Sequence, residues 1–285
     1  MSVKRTAENK WANATIRDNF VFSKTMELYP ELCRQLLELI LDIKIKEISY
    51  PEREKTIEAR IDGKGIRLDV YVEDKNFHRS FDVEMQVTDS AHLAMRIRYY
   101  QGLIDMNNLK RGQHYSSLNE SYIIFICPFD SFKQGRHFYS FSERCDQDPS
   151  MKLNNKTHHI FLSTKGTRDD VQPDIKAFLN YVDSGIVSGK FVEDIACAVD
   201  SVKSNQKVRH DFMTFQMALL EERMEGELCG EQRGLAQGIE RGRNEEREAL
   251  ALKMLRKGKS IEEVREFTDL PFERLKQLAD NNSIA

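Results

Sequence analysis

The chain has 285 residues, with 43 Lys+Arg against 46 Asp+Glu, a net charge of −3 and a pI near 6.2. This balance excludes a globally basic nucleic-acid binder, so such a partner must be held by a local patch. With 40% hydrophobic and 31% charged residues the chain has material for a core, and with no run of about 18 apolar residues it offers no membrane-spanning helix.

Residues 1–16 are polar, and order is expected only beyond about Asn13. The first strong helix is expected from Pro30 to Ile43, where Leu32, Leu36, Leu39, Ile40 and Ile43 form one apolar stripe behind a proline suited to a first helical position. Lys44–Ser49 and Thr56–Ile61 alternate as short strands. Two better strands follow, at 65–74 (GIRLDVYVED) and 79–88 (RSFDVEMQVT), joined by the polar linker Lys75–His78. A helix is expected from about Ser90 to Asn107, then a nearly continuous apolar strand at 121–129. Strands at 137–142 and 158–164 and a helix over Asp169–Val182 come next. The apolar strand returns after a crossover helix, so it should run parallel to a neighbour. The order predicts an α/β domain, a mixed sheet flanked by helices.

Beyond residue 183 strand signals vanish, and an all-helical tail is expected. Residues 184–243 read as a helical extension and 244–285 as a small helical module. Gly226, Gly230, Gly234, Gly238 and Gly242 stand four apart within 17 residues. Each interior glycine costs about 1 kcal/mol relative to alanine, so the stretch is either a long helix held against a partner backbone or a frayed linker. Glu245–Arg256 reads as a helix. Ser260 and Glu263 form a capping box for a second, and Pro271 opens a third. Residues 244–285 hold eight Lys+Arg against nine Asp+Glu, which favours packing or self-association over phosphate binding.

The five cysteines are scattered, with no CxxC pair, as expected for reduced thiols of a cytoplasmic protein. The N-terminus lacks the apolar run of a secretory signal. His158 and His159 are adjacent in a strand, so their side chains diverge and carry no joint metal site.

The chemistry concentrates in 65–88. Strand alternation places Ile66, Leu68, Val70 and Val72 on one side of the first strand and Phe81, Val83, Met85 and Val87 on the same side of the second. A hairpin centred between Asn76 and Phe77 sets Asp69 opposite Glu84 and Arg67 opposite Gln86. Two opposed carboxylates repel. Either water screens them on a solvated face, or a divalent cation joins them: Mg²⁺ takes one or two carboxylates together with waters and a substrate phosphate.

IRLDVYVED followed by FDVEMQ resembles the core of the PD-(D/E)XK nucleases, and specifically their recombination-promoting nuclease/putative transposase branch. RDNFVFSKTM (17–26), MRIRYYQG (95–102) and GQHYSSLNESYIIFICPFDSF (112–132) resemble the branch's opening motif, helix and next strand. The glycine-spaced tail also fits, and the likeness spans roughly residues 17–280, with 17–183 as the nuclease-like core. The resemblance implies a restriction-endonuclease-like fold and a Mg²⁺-dependent DNA endonuclease, with Mn²⁺ a possible substitute, linked to recombination, transposition or mobile elements. Asp69 and Glu84 would bind the metal, with the Met85 carbonyl. Gln86 stands where the wider superfamily has lysine, and Leu68 where its name places proline. Glutamine can orient by hydrogen bonds but brings no charge. Arg96 and Tyr100, four apart on the following helix, match the branch's Arg and Tyr. They would contact DNA or support the site, or else form an arginine stem packed beside a core tyrosine. Glu38 aligns with an acid that supports metal in some superfamily members; alone it reads as a surface glutamate. The competing expectation is a catalytically weak DNA-binding or assembly protein on a nuclease scaffold. The helical tail is the expected surface for a homo-oligomer.

Overall fold

In a computed structural model the chain is described over residues 3–50, 56–57, 66–89 and 92–282. It forms two compact units, Met1–Thr214 and Phe215–Ala285.

The first unit opens with α1 (Val3–Asn13), α2 (Asn19–Leu28) and α3 (Pro30–Leu41). The N-terminal segment is thus helical, not partly ordered up to Asn13. Ala7 and Trp11, four apart, are both buried, and Trp11 lies 4.9 Å from Phe212. The helix α2, not expected from the sequence, starts at an N-cap where Asp18 accepts from the Phe20 and Val21 N–H groups. It buries Phe20, Val21, Phe22 and Met26. α3 ends two residues earlier than expected, at a C-cap where Asp42 turns left-handed with φ 52°.

Lys44–Ser49 forms no strand; only Ser49 makes an isolated bridge, to Glu73. The expected strand at 56–61 is β1 (Thr56–Ile57), and its remaining residues lie outside the described ones. The expected strand at 65–74 is divided in two, β2 (Ile66–Arg67) and β3 (Val70–Asp74). β2 pairs with β1 in a separate two-stranded sheet, where Arg67 faces Thr56 and not Gln86. β4 (Arg79–Met85) stops short of Gln86. Val87, placed on the buried side by alternation, is past the strand end and 49% exposed.

The main sheet has five strands in the order β3-β4-β5-β7-β6, with β5 Glu120–Cys127, β6 Phe138–Phe141 and β7 Thr157–Ser163. β3 and β4 form the expected antiparallel hairpin, with Val70 opposite Val83 and Tyr71 opposite Asp82. β4 runs parallel to β5, and β5 to β7; β6 is an antiparallel edge. The crossover between β4 and β5 is α4 (Leu93–Asn108).

Alternation along β3 and β4 leaves both sides buried. Ile97, Tyr100, Leu103 and Ile104 of α4 pack with Tyr71, Ile123, Phe125 and Phe161. On the other side α2 contacts β3 and β4, backed by α5 (Pro173–Ser184) and α6 (Lys190–Ser204).

The helix α7 (Gln206–Leu255) is one continuous helix of 50 residues that runs through the division between the units. The glycine stretch is therefore helical. In the second unit, Ala251 and Leu255 of α7 pack with Val264, Leu270, Leu275 and Leu278. These come from α8 (Ile261–Thr268), α9 (Phe272–Asn281) and the turn between them. The expected capping box is complete: Ser260 accepts from the Glu263 N–H, and Glu263 accepts from the Ser260 N–H.

Phe212 is fully buried between the rings of Trp11 and Phe20. Replacing it with alanine should cost about 3–5 kcal/mol. Trp11 is the chain's single tryptophan, so its emission in a denaturant titration reads the loss directly; an unchanged midpoint would refute this packing.

Candidate active site

The site begins at the break between β2 and β3. Leu68 and Asp69 leave the strand path, and Ser23 of α2 holds the bend by donating its hydroxyl to the Asp69 carbonyl at 2.5 Å. The bend turns the Asp69 carboxylate toward the end of β4, where Oδ2 accepts from the Met85 N–H at 3.1 Å. The Asp69 N–H in turn donates to Glu84 Oε1 at 2.9 Å. Each acid is thus bonded to the other's strand, and the two occupy one place. Asn19, the first residue of α2, reaches Asp69 Oδ1 at 3.5 Å.

Glu84 is not on a solvated polar face. It pairs with Phe125 across the parallel ladder, as Asp82 does with Ile123, so both acids lie on the side covered by α4. Glu84 is 2% and Asp82 1% exposed. Arg96, on the first turns of α4, meets Glu84 Oε2 at 2.8 Å. Its second terminal nitrogen donates to Gln86 Oε1, and its Nε to the Tyr100 hydroxyl at 2.9 Å. The guanidinium lies 4.9 Å from the Tyr100 ring centre and 5.3 Å from that of Phe125. The Gln86 amide donates to the Thr88 carbonyl, so both ends of this side chain are held.

Burial, and then the nearby Asp69 charge, push the Glu84 carboxyl up to about 8. Asp82 is raised well above the usual carboxylate range by burial and by Glu84, and neither of its oxygens has a hydrogen-bond partner. Burial raises the Tyr100 phenol to about 12. Arg96 is disfavoured by burial, but Tyr100 and Glu84 more than offset this and keep it charged.

Asp69, Glu84, Gln86, Arg96 and Tyr100 therefore converge on one site at the ends of β4 and α4. Glu38 does not join them through any described bond: it accepts from the Ile45 N–H at 2.8 Å and pairs with Arg34, closing the C-terminal end of α3. His158 pairs with Glu120 and stacks on Tyr122. Three residues escaped the sequence reading. Asp82 was legible in the alternation of FDVEM but was given no role. Asn19 and Ser23 arrive from α2, some 50 residues upstream by chain; they lie within RDNFVFSKTM, which reads as an opening motif but gives neither residue a role.

A mixed sheet whose second strand, β4, carries paired acids beneath a crossover helix defines a restriction-endonuclease-like nuclease domain. Residues 20–172 match the model of the PD-(D/E)XK nuclease family transposase, more than half of the chain, and the chain belongs to that family. No curated protein and no solved structure matches it. The family gives the chain a nuclease- or transposase-like role with DNA as substrate, and its nucleases generally use divalent metal ions. Among the described residues, no group of three or more His, Cys, Asp or Glu side chains is arranged to hold a metal, and no helix is long and apolar enough to cross a membrane.

The raised carboxyls set a pH dependence. Glu84 ordinarily titrates near 4.5 and in the fold near 8. The folded chain thus keeps a proton that the unfolded chain releases. This stability is fully present below about pH 4.5 and is lost as pH rises through about 8. The midpoint of unfolding without metal should fall across that window. Glu84→Gln and Asp82→Asn should each flatten the fall, and an unaltered slope in both variants would refute the assignment.

Proposed function

We propose that the protein is a metal-dependent DNA endonuclease that hydrolyses phosphodiester bonds in the cytoplasm, in recombination, transposition or mobile-element biology. The observation that carries this reading is the interlock of Asp69 and Glu84: two carboxylates are brought together, one of them nine-tenths buried or more, with a third unpartnered acid, Asp82, beside them.

The donor set suits a hard divalent cation. All the candidate ligands are oxygens, and Mg²⁺ needs only one or two carboxylates when waters and a substrate phosphate complete its shell. Asp69 and Glu84 would hold it, with the Met85 carbonyl, and Mn²⁺ would substitute. When bound, the metal supplies Lewis-acid polarisation of the phosphodiester and a lowered pKa for an attacking water. The protein's own groups do the rest. Arg96 keeps Glu84 oriented and offers positive charge toward a phosphate. Tyr100 and Phe125 fix the plane of Arg96 and keep water from its inner side. Gln86 completes the polar set.

A second reading, a catalytically weak DNA-binding or assembly protein on this scaffold, is favoured by one feature: Gln86 brings no charge, and both ends of its amide are engaged. Nicking of supercoiled plasmid separates the two. Wild type should nick with Mg²⁺ or Mn²⁺. Asp69→Ala and the nearly isosteric Glu84→Gln should lose at least about 10²-fold while unfolding cooperatively. Full metal-dependent activity in Glu84→Gln would exclude it as a required ligand.

We further propose that the second unit joins two copies of the chain. The support is a stripe on α7: Met217, Met224, Leu228, Leu235, Ile239 and Leu250 fall within one narrow arc and are all exposed. The glycines do not form this stripe: at 3.6 residues per turn their row drifts about 40° per step, from about 180° off Met217 at Gly226 to the edge of the apolar arc only at Gly242, and a Cβ on any of the five would meet open space. The apolar stripe, not the glycine stripe, is the contact expected here. Light scattering should show a dimer for wild type and a monomer for Leu228→Glu with Leu235→Glu; equal masses would sink the idea.

A further inference from the structure

The Gln86 side chain is 8% exposed overall, and its oxygen is taken up by a cation from α4. A group meant to orient an attacking water needs a free donor or acceptor within reach of that water. Gln86 has its carbonyl on Arg96 and one of its two amide N–H donors on the Thr88 carbonyl, and burial leaves the second donor little access to such a water. Arg96 shows the opposite pattern. A guanidinium carries five N–H donors, and three are spent on Tyr100, Gln86 and Glu84. Two remain, and the Arg96 side chain is 36% exposed while that of Glu84 is 3% exposed. The inner edge of the guanidinium is bonded and backed by the Tyr100 and Phe125 rings. Such an edge-bound, aromatic-backed guanidinium is the geometry that presents paired donors to a phosphate.

We propose that Gln86 is a positioning residue acting through Arg96: its carbonyl, together with Glu84 and Tyr100, fixes the guanidinium so that its two remaining donors meet the scissile phosphate. The inference rests on the nuclease reading above and deepens it by assigning the site's phosphate-directed charge to α4 rather than to β4. It has a consequence opposite to that of simple restoration. A lysine at 86, the residue type the wider superfamily has there, removes the acceptor and sets an ammonium against Arg96, which repels it from its place.

The test is a cycle of variants at 86 and 96 in the full chain, each first shown to unfold cooperatively. Arg96→Ala should lower plasmid nicking by about 10²–10³-fold, as for loss of a preorganised donor. Gln86→Ala should lower it less, and the double variant should lose no more than Arg96→Ala alone, because groups acting as a unit do not multiply. Gln86→Lys should fall below Gln86→Ala, and adding Arg96→Gln to Gln86→Lys should recover part of the loss by removing the repulsion. A second readout needs no cleavage: binding of a short labelled duplex in EDTA across a salt series. Arg96→Ala should reduce the log–log salt slope by about 1, and adding Gln86→Ala should change it no further. Multiplying losses in the double variant, or a Gln86→Lys protein that nicks as well as wild type, would overturn the proposal. If wild type itself fails to nick, the nuclease reading falls. The duplex-binding arm then decides alone, and independent, additive effects at 86 and 96 overturn the anchor.

Discussion

The constraint on which this structure depends is the burial of carboxylates inside a sheet. Glu84 and Asp82 sit on β4 beneath α4, almost out of reach of water. An isolated carboxylate there costs several kcal/mol unless it is paired, bonded or protonated. The chain uses all three remedies. The Asp69 N–H takes one Glu84 oxygen, Arg96 takes the other, and the raised titration of both acids favours the proton in the absence of another cation. Removing any one partner would leave charge stranded in a low-dielectric place.

Much of the surrounding fold follows from meeting that constraint. The β2–β3 break exists where the Asp69 backbone must face Glu84, and α2 is tied to it through Ser23. The crossover helix α4 does two jobs with residues a turn apart. Ile97, Leu103 and Ile104 seal the sheet, while Arg96 and Tyr100 project to the acid cluster from the same helix. Phe125 sits opposite Glu84 across the parallel ladder, so the same pairing that aligns β4 with β5 puts an aromatic ring under the guanidinium. The arrangement is costly for stability alone, since well-packed apolar residues of similar volume often do as well as a buried ion pair or better. Its presence in a domain of nuclease type is consistent with a site that gives up protons to a divalent cation while Arg96 stays in place.

The second unit obeys different physics. From Phe215 to about Leu250, α7 is mostly exposed, and propensity alone would leave a helix with five interior glycines marginal. Its last turns are held by a small core with α8 and α9 and by two hydrogen bonds that Arg274 donates to the Glu248 carboxylate, at 2.6 and 2.9 Å. Near-balanced charge there speaks for protein contact rather than phosphate contact.

The sequence by itself determined the elements whose signal is local. Alternation gave the β3–β4 pairing with Asp69 and Glu84 at one level, the continuous apolar run gave the parallel β5, and Ser260 with Glu263 gave the cap of α8, because periodicity and capping act over a few residues. The order of short motifs was enough for the family. What only the tertiary structure decided was environment. Whether the polar side of β4 meets water or α4 depends on where the helix beginning eight residues past the strand comes to rest, and that placement turned a solvated face into buried acids with raised titration. The helical N-terminus likewise depends on Phe212, 201 positions from Trp11, and Gln86 acquired its partner from α4. Contacts of such separation leave no period in the chain: they are set by which apolar surfaces cover one another, and the site's charges are settled only once that cover is in place.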